Sequence, residues 1–337
     1  MTFRIPPYSF PTTVAAVDDD AHFLESLAFS LGRGLRCDAF EHPATALAAL
    51  VNRDGRARID HLLAPLQEAD LAELPGDWTD RGVRLHCSRI VNTAGDPTRH
   101  QDVSAIIADY DMPGMDGLSF FRALQSSAAK RILLTGKADE RVAIQAFNEG
   151  LIDLFFMKHD PTIRDQLRTA IADAPQHYFR KLTRPLLPFF DARSFLLDPA
   201  FERYVTEQFT IHGIVEHYLS LRPAGLLGFD REHAGWLLLA QSEEDVSGIM
   251  EAAGGAGYTE EGAAAVGRGE LQPLPLTNGA GLPGQVELVP CVRLQSGWRC
   301  SFIPAPAHLR SLIKYPPPAR FQRHRQFPIT GASAVGP

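Results

Sequence analysis

The 337-residue chain is 45% hydrophobic and 22% charged, the balance of a folded globular protein, and its length suggests two domains because single cores usually stop growing beyond roughly 250–300 residues. This excludes a disordered, collagen-like or coiled-coil protein, and the net charge of −7 argues against one dominated by nucleic-acid or membrane-surface binding. Four cysteines (Cys37, Cys87, Cys291, Cys300), none in CxxC spacing, and twelve histidines without an HExxH or HxxxH pair give neither a disulfide framework nor a zinc site.

Residues 1–175 carry 25 acidic and 18 basic side chains, whereas 176–337 carry 15 of each and are neutral. In the first half, Thr13–Val17 is an apolar run ending at Asp18-Asp19-Asp20, which reads as a buried strand feeding a carboxylate-rich loop. Phe23, Leu24, Leu27, Ala28 and Leu31 recur at helical spacing, Cys37–Phe40 reads as a second strand and Ala44–Val51 as a second helix. Ser104–Ala108 is another buried strand ending in Asp109, and Pro113–Gly117 turns into a helix from Leu118 to about Gln125. Ile132–Leu134, Asp139–Phe147, Leu154–Phe156 and Pro161–Ala172 continue the alternation as strand, helix, strand and helix. Such alternation implies parallel strands joined by right-handed crossovers, whose carboxyl ends collect polar residues in one crevice. Asp18, Asp19, Asp109, Thr135 and Lys158 all fall at or just after strand ends and are expected to converge.

With VDDD (Val17–Asp20), ADYDMPGMDG (Ala108–Gly117), LLTG (Leu133–Gly136) and FFMK (Phe155–Lys158) in this order, the chain resembles the receiver domain of two-component response regulators over roughly residues 12–175. The resemblance implies a flavodoxin-like, doubly wound (βα)₅ fold with Asp109 as phosphoryl acceptor. It implies Mg²⁺ as cofactor, held by Asp18, Asp19 and Asp109 and by the backbone carbonyl of Asp111. It gives Thr135 and Lys158 the phosphoryl oxygens to bind and neutralise, and Phe155 a rotamer change with phosphorylation state. It also implies a sensor histidine kinase or phosphotransfer protein as donor, and a homodimer on phosphorylation. The chemistry calls for these residue types: negative charge spreads among existing anions, so a hard divalent cation and a lysine have to offset it. Two positions depart from the pattern. His159 stands where the family usually has proline, and Asp111 adds a carboxylate beside the acceptor, expected to face solvent.

Asp19 and Asp109 are 90 residues apart, whereas two helices, two strands and short loops need about 45. An inserted subdomain is therefore expected at about 53–102. Leu62, Leu63, Leu66, Leu71 and Leu74 suggest a short helix pair there, and Val83–Val91 a strand. Either it docks a partner or a second copy, or it is a tolerated surface elaboration. His86 and Cys87 read as packing residues.

Pro175, Pro185 and Pro188 mark a linker at 176–192. Beyond it, 193–325 reads as an α+β output domain and 326–337 as a tail. Pro199–Leu221 reads as one or two helices, Gly225–Phe229 with Trp236–Ala240 as a hairpin, and Ser242 as a helix cap. Gln285–Leu294 with Trp298–Ile303 reads as another hairpin, and the glycines of 251–270 as caps and loops. Gly225–Val246 looks similar to segments of poorly characterised output domains that follow receivers. No GK[ST], GGDEF-like, EAL-like or HD-type motif is present, so no enzymatic output is expected beyond hydrolysis of the chain's own phosphoryl group. Three outputs stay open: a regulated protein- or ligand-binding module, which is favoured; nucleic-acid or nucleotide binding through Arg320, Arg323 and Arg325; and an unphosphorylated scaffold. No apolar run reaches the roughly 18–20 residues of a membrane span and no signal peptide is evident, so a cytoplasmic protein is expected.

Overall fold

Runs such as TVAAV and SAIIA, apolar at successive positions, need cover on both faces of a sheet. The computed structural model of the protein gives it to them, and describes residues 2–31, 35–51, 53–65, 83–124, 127–136, 140–255, 258–278, 282–310 and 322–324. Five strands, β1 Thr13–Val17, β2 Arg36–Phe40, β3 Val103–Asp109, β4 Lys130–Thr135 and β5 Leu154–Met157, lie parallel in the order β2-β1-β3-β4-β5. Alternate residues face opposite sides. Ala15, Val17, Ile106, Ala108 and Leu133 pack with α2 (Pro43–Leu50), α3 (Gly117–Ala123) and α4 (Glu140–Asn148). Val14, Ala16, Ala105, Ile107 and Leu134 pack with α1 (Ala21–Leu31) and α5 (Ile163–Ala172). This is the doubly wound, flavodoxin-like sheet.

The chain divides into two units. One comprises Thr12–Gly55, His100–Tyr178 and, at the C-terminus, Gln322–His324; the other comprises Met1–Pro11, Arg56–Arg99 and Phe179–Pro317. In the first unit Arg53 ties the two arms of the chain where the insertion leaves and returns. Its guanidinium donates to buried Asp38 at 2.8 Å and to the Gln101 carbonyl at 2.7 Å, and its own carbonyl accepts from Val103 at 3.0 Å. Gln322–His324 pairs in parallel with β2 as a sixth, edge strand, so this part of the expected output domain belongs to the first unit's sheet. Arg320 and Arg325 lie outside the described residues.

The second unit is α+β. Its sheet is antiparallel, in the order Tyr8–Ser9, Ile214–Leu221, Ala224–Asp230, Gly235–Gln241, Arg299–Pro304, Val292–Arg293. Met1–Pro11, expected within the first domain, joins this unit because Tyr8 pairs with Tyr218 and Phe10 packs edge-on against Phe179 at 4.7 Å. The expected linker is ordered: Ala174–Leu182 is α-helical and Arg184–Phe189 a 3₁₀ turn.

Pro199–Leu221 is only half helical. Pro199–Ile211 is a helix capped by Asp198, Gly213 at φ 63° ends the run, and Ile214–Leu221 is a strand. Apolar Ile214, Val215, Tyr218 and Leu219 mimic helical spacing because Glu216 and His217, between them, are buried too. The second expected hairpin is also repartnered: Leu282–Pro290 pairs with Leu271–Asn278, and only Val292–Arg293 pairs with Arg299–Pro304. Gly254 and Gly269 are left-handed helix caps.

The insertion is part of this unit. Arg56–Leu62 is a helix, Leu63–Pro65 pairs with Val83–Leu85, and Cys87–Asn92 is helical where a strand was expected. Leu66, Leu71 and Leu74 lie outside the described residues. Arg99, 0% exposed at its side chain, donates to both oxygens of Glu216, itself 1% exposed, at 3.2 and 3.3 Å. Tyr218 donates to the same carboxylate at 3.0 Å, and Arg99 also donates to the Asp96 carbonyl at 3.1 Å.

His217 is buried and donates from Nε2 to the Pro6 carbonyl at 3.0 Å; burial pushes its pKa down to about 4. An unfolded histidine titrates near 6.5, so the stability this group contributes is full above that pH and is lost as pH falls toward 4. Chemical denaturation at pH 7.5 and pH 5 is expected to show wild type losing about 2 kcal/mol more than His217→Gln. Equal losses would mean the imidazole does not stay neutral in the fold.

Candidate functional site

Parallel strands bring their carboxyl ends to one edge, and four chemistry-bearing residues meet there. Asp18 follows β1 and is fixed by its backbone N–H, which donates to the Phe40 carbonyl at 3.1 Å. Asp109 is the last residue of β3, and its Oδ1 accepts from the Tyr110 N–H at 3.0 Å. Lys158 follows β5, with its N–H on the Thr135 carbonyl at 2.9 Å. Its ammonium donates to Asp18 Oδ1 at 3.1 Å and to Asp109 Oδ2 at 3.0 Å. The Lys158–His159 peptide is trans, the one cis peptide among the described residues being Arg222–Pro223, and the lysine reaches both carboxylates with histidine following it.

Burial dominates the electrostatics. It raises the Asp18 carboxyl from 3.8 to about 6 against the opposing pull of Lys158, and raises Asp109 for the same reason. Burial also works against the charge of Lys158, but its hydrogen bonds to Asp18 and Asp109 outweigh this and its pKa is raised. Asp18 Oδ2 lies 2.9 Å from the ammonium yet is buried without a hydrogen-bond donor. Ligand oxygens from Asp18, Asp19 and Asp109 lie within 4.8 Å of one another. Hard carboxylate oxygens at this spacing, one of them buried and undonated, fit an oxygen-seeking divalent cation.

Thr135, Phe155 and Asp111 are the remaining expected residues. Thr135, the last residue of β4, is buried and donates to the Gly136 carbonyl at 3.0 Å. Phe155 is half-buried against the α2–α3–α4 core. The Asp111 side chain is exposed. Two features escaped the sequence reading. Phe23, assigned only to the helix core, has its ring centroid 5.1 Å from the Lys158 ammonium, a cation–π contact. Asp116 caps α3, accepting from the Ser119 N–H at 2.8 Å, and the next residue has no room for a side chain. A Cβ on Gly117 would sit 2.3 Å from the Asp109 carbonyl oxygen. Gly117→Ala is expected to cost about 1–3 kcal/mol in urea denaturation by pushing α3 off β3; a neutral outcome would refute the close approach.

Residues 88–172 match the family of response regulator receiver domains. The matched range contains Asp109, Thr135 and Lys158; Asp18 and Asp19 lie before it, set apart by the insertion. Over 91% of both chains, the protein is similar to the structure of the Legionella pneumophila response regulator LqsR, with 27% identity and a TM-score of 0.70. The chain carries a response regulator receiver domain, and its similarity to LqsR supports a two-component response regulator. Its likeness to LqsR runs through both units. The chain is also similar to a response regulator receiver domain protein of Clostridium thermocellum over 49% of this chain and 94% of that one, at 20% identity and a TM-score of 0.31. No curated protein matches the chain. Among the described residues of the regulator, no helix is long and apolar enough to cross a membrane.

Proposed function

We propose that the regulator accepts a phosphoryl group on Asp109 from a sensor histidine kinase or phosphotransfer protein in the cytoplasm, and that this switches a non-enzymatic binding output in the second unit through dimerisation. The observation carrying this reading is the convergence of Asp18, Asp19, Asp109 and Lys158 at the ends of neighbouring parallel strands. An Asp109 oxygen forms the bond to phosphorus as the bond to the donor's histidine nitrogen breaks, and Lys158, already at 3.0 Å from that carboxylate, neutralises the incoming charge. Asp18, Asp19 and Asp109, with the Asp111 carbonyl, would hold Mg²⁺. When bound, Mg²⁺ supplies positive charge against the phosphoryl oxygens. Thr135 gives up its bond to the Gly136 carbonyl to donate to a phosphoryl oxygen, and Phe155 reorients with it. Local electrostatics then bias a two-state element.

The test is intact-mass measurement after acetyl phosphate and Mg²⁺, with light scattering in beryllofluoride, on wild type and Asp109→Asn. Wild type is expected to gain one phosphoryl group and to increase its molar mass in beryllofluoride, the variant to do neither. If wild type gains no phosphoryl mass the acceptor reading fails; if it gains mass without assembling, the dimer switch fails alone.

A further inference from the structure

The second unit contains a cavity of about 590 Å³, built by the insertion on one side and the central sheet on the other. Cys87–Asn92 is anchored by the His86 N–H on the Leu62 carbonyl at 2.9 Å and by Arg89 on the His61 carbonyl at 2.7 Å, and it packs against Ile214–Leu221. That volume lies within the range of small-molecule sites, about 300–1,000 Å³.

Its lining is amphipathic. Leu85, Val91 and Leu309 supply apolar wall, and among the described residues no acidic side chain lines it. Arg222, exposed at the sheet end, forms no ion pair among the described residues. Ser220 is only 3% exposed, and its hydroxyl has no hydrogen-bond partner among the described residues although it lines the cavity. That hydroxyl opens onto the cavity, so a ligand that displaces water from it has to meet it with a polar group or lose a hydrogen bond. A cation finds no counter-charge here, and a wholly apolar molecule leaves Ser220 unsatisfied. An anionic head bound by Arg222 and Ser220, with an apolar body on the leucine and valine wall, satisfies both of these polar groups.

We propose that the second unit of this regulator is a ligand-binding module for a small amphipathic anion, and that the insertion completes its site. This stands apart from phosphoryl acceptance by the other unit. Cys87 lines the cavity and is half-buried, so it reports occupancy. In a Cys291→Ser background the two remaining cysteines, Cys37 and Cys300, are buried. Alkylation of Cys87 by iodoacetamide would be followed by mass spectrometry with octanoate, octylammonium or 1-octanol as probes. Octanoate is expected to slow alkylation at least about tenfold at saturation, octylammonium to leave it unchanged, and Arg222→Gln to weaken octanoate by about tenfold or more. Val91→Trp, which fills the cavity, is expected to abolish protection. No protection by octanoate at ~10 mM, a concentration that detects even millimolar affinity, would overturn the site. Equal protection by octylammonium or 1-octanol would overturn the anion assignment.

Discussion

Arg99→Met is expected to destabilise the second unit by about 3–5 kcal/mol, the loss seen when one member of a buried ion pair is removed. The methionine fills much of the space, so the loss comes from charge: Glu216 stays buried with only the Tyr218 hydroxyl to meet its carboxylate. The Tyr218 hydroxyl keeps its proton and goes on donating, since burial and then the Glu216 charge hold its pKa well above the ordinary value. Hydrogen exchange in Ile214–Leu221 is the suited probe, because it reads that strand without depending on the whole chain unfolding together. Arg99→Met with Glu216→Leu is expected to recover most of the loss, since an apolar pair carries no desolvation cost. A single-variant loss below about 1 kcal/mol, the scale of an exposed pair, would show that the two side chains do not hold the insertion on the sheet.

Asp18→Asn is expected to act in the opposite direction on the metal-free protein, raising its stability at pH 7.5 by about 1–2 kcal/mol while abolishing stabilisation by Mg²⁺. The folded carboxyl titrates at about 6 rather than 3.8, chiefly because burial opposes its charge. A folded pKa above the unfolded one means that folding takes up a proton. Its penalty is absent below about pH 3.8, grows between the two values and is complete above about pH 6, at roughly 3 kcal/mol. That penalty is already net of the Lys158 attraction, and asparagine recovers only part of it because its NH2 end cannot accept a hydrogen bond where a carboxylate oxygen did. Thermal unfolding in EDTA at pH 7.5 and pH 4 checks the sign, because the advantage is expected to vanish at the lower pH. In excess Mg²⁺, wild type is expected to gain about 2.7 kcal/mol at a hundredfold excess over Kd and the variant nothing. A metal-free variant less stable than wild type at pH 7.5 would mean that the Lys158 contact outweighs the burial cost.

The first unit was legible because its signals are local. TVAAV and SAIIA announce buried strands, and the residues that follow each strand end are the ones that meet at the site. Gly117 also lay within a recognised block, although the reason for it, the 2.3 Å approach to the Asp109 carbonyl, needs the folded chain. The second unit offered no such signal. Tyr8 finds its partner at Tyr218 and Arg99 at Glu216, and nothing at either position indicates where the other lies. Ile214–Leu221 reads as helix because a strand buried on both faces has no alternation, and Gly213 is the signal that breaks the run. Val83–Val91 reads as one strand because Ile90 and Val91 are β-branched, a preference that packing overrides in the helix Cys87–Asn92.

The three-piece composition of the second unit has a consequence for the order in which the protein is made. By the time Tyr178 leaves the ribosome, all five core strands of the first unit have been synthesised, while the second has only its first two pieces. Tyr8, Phe10 and Arg99 then have no sheet to bury against until Ile214–Leu221 arrives. The receiver can thus mature early, whereas its companion is completed only late in translation. For the same reason a nascent chain arrested near residue 178, or a gene fusion joined there, carries stranded aromatic segments rather than a finished module.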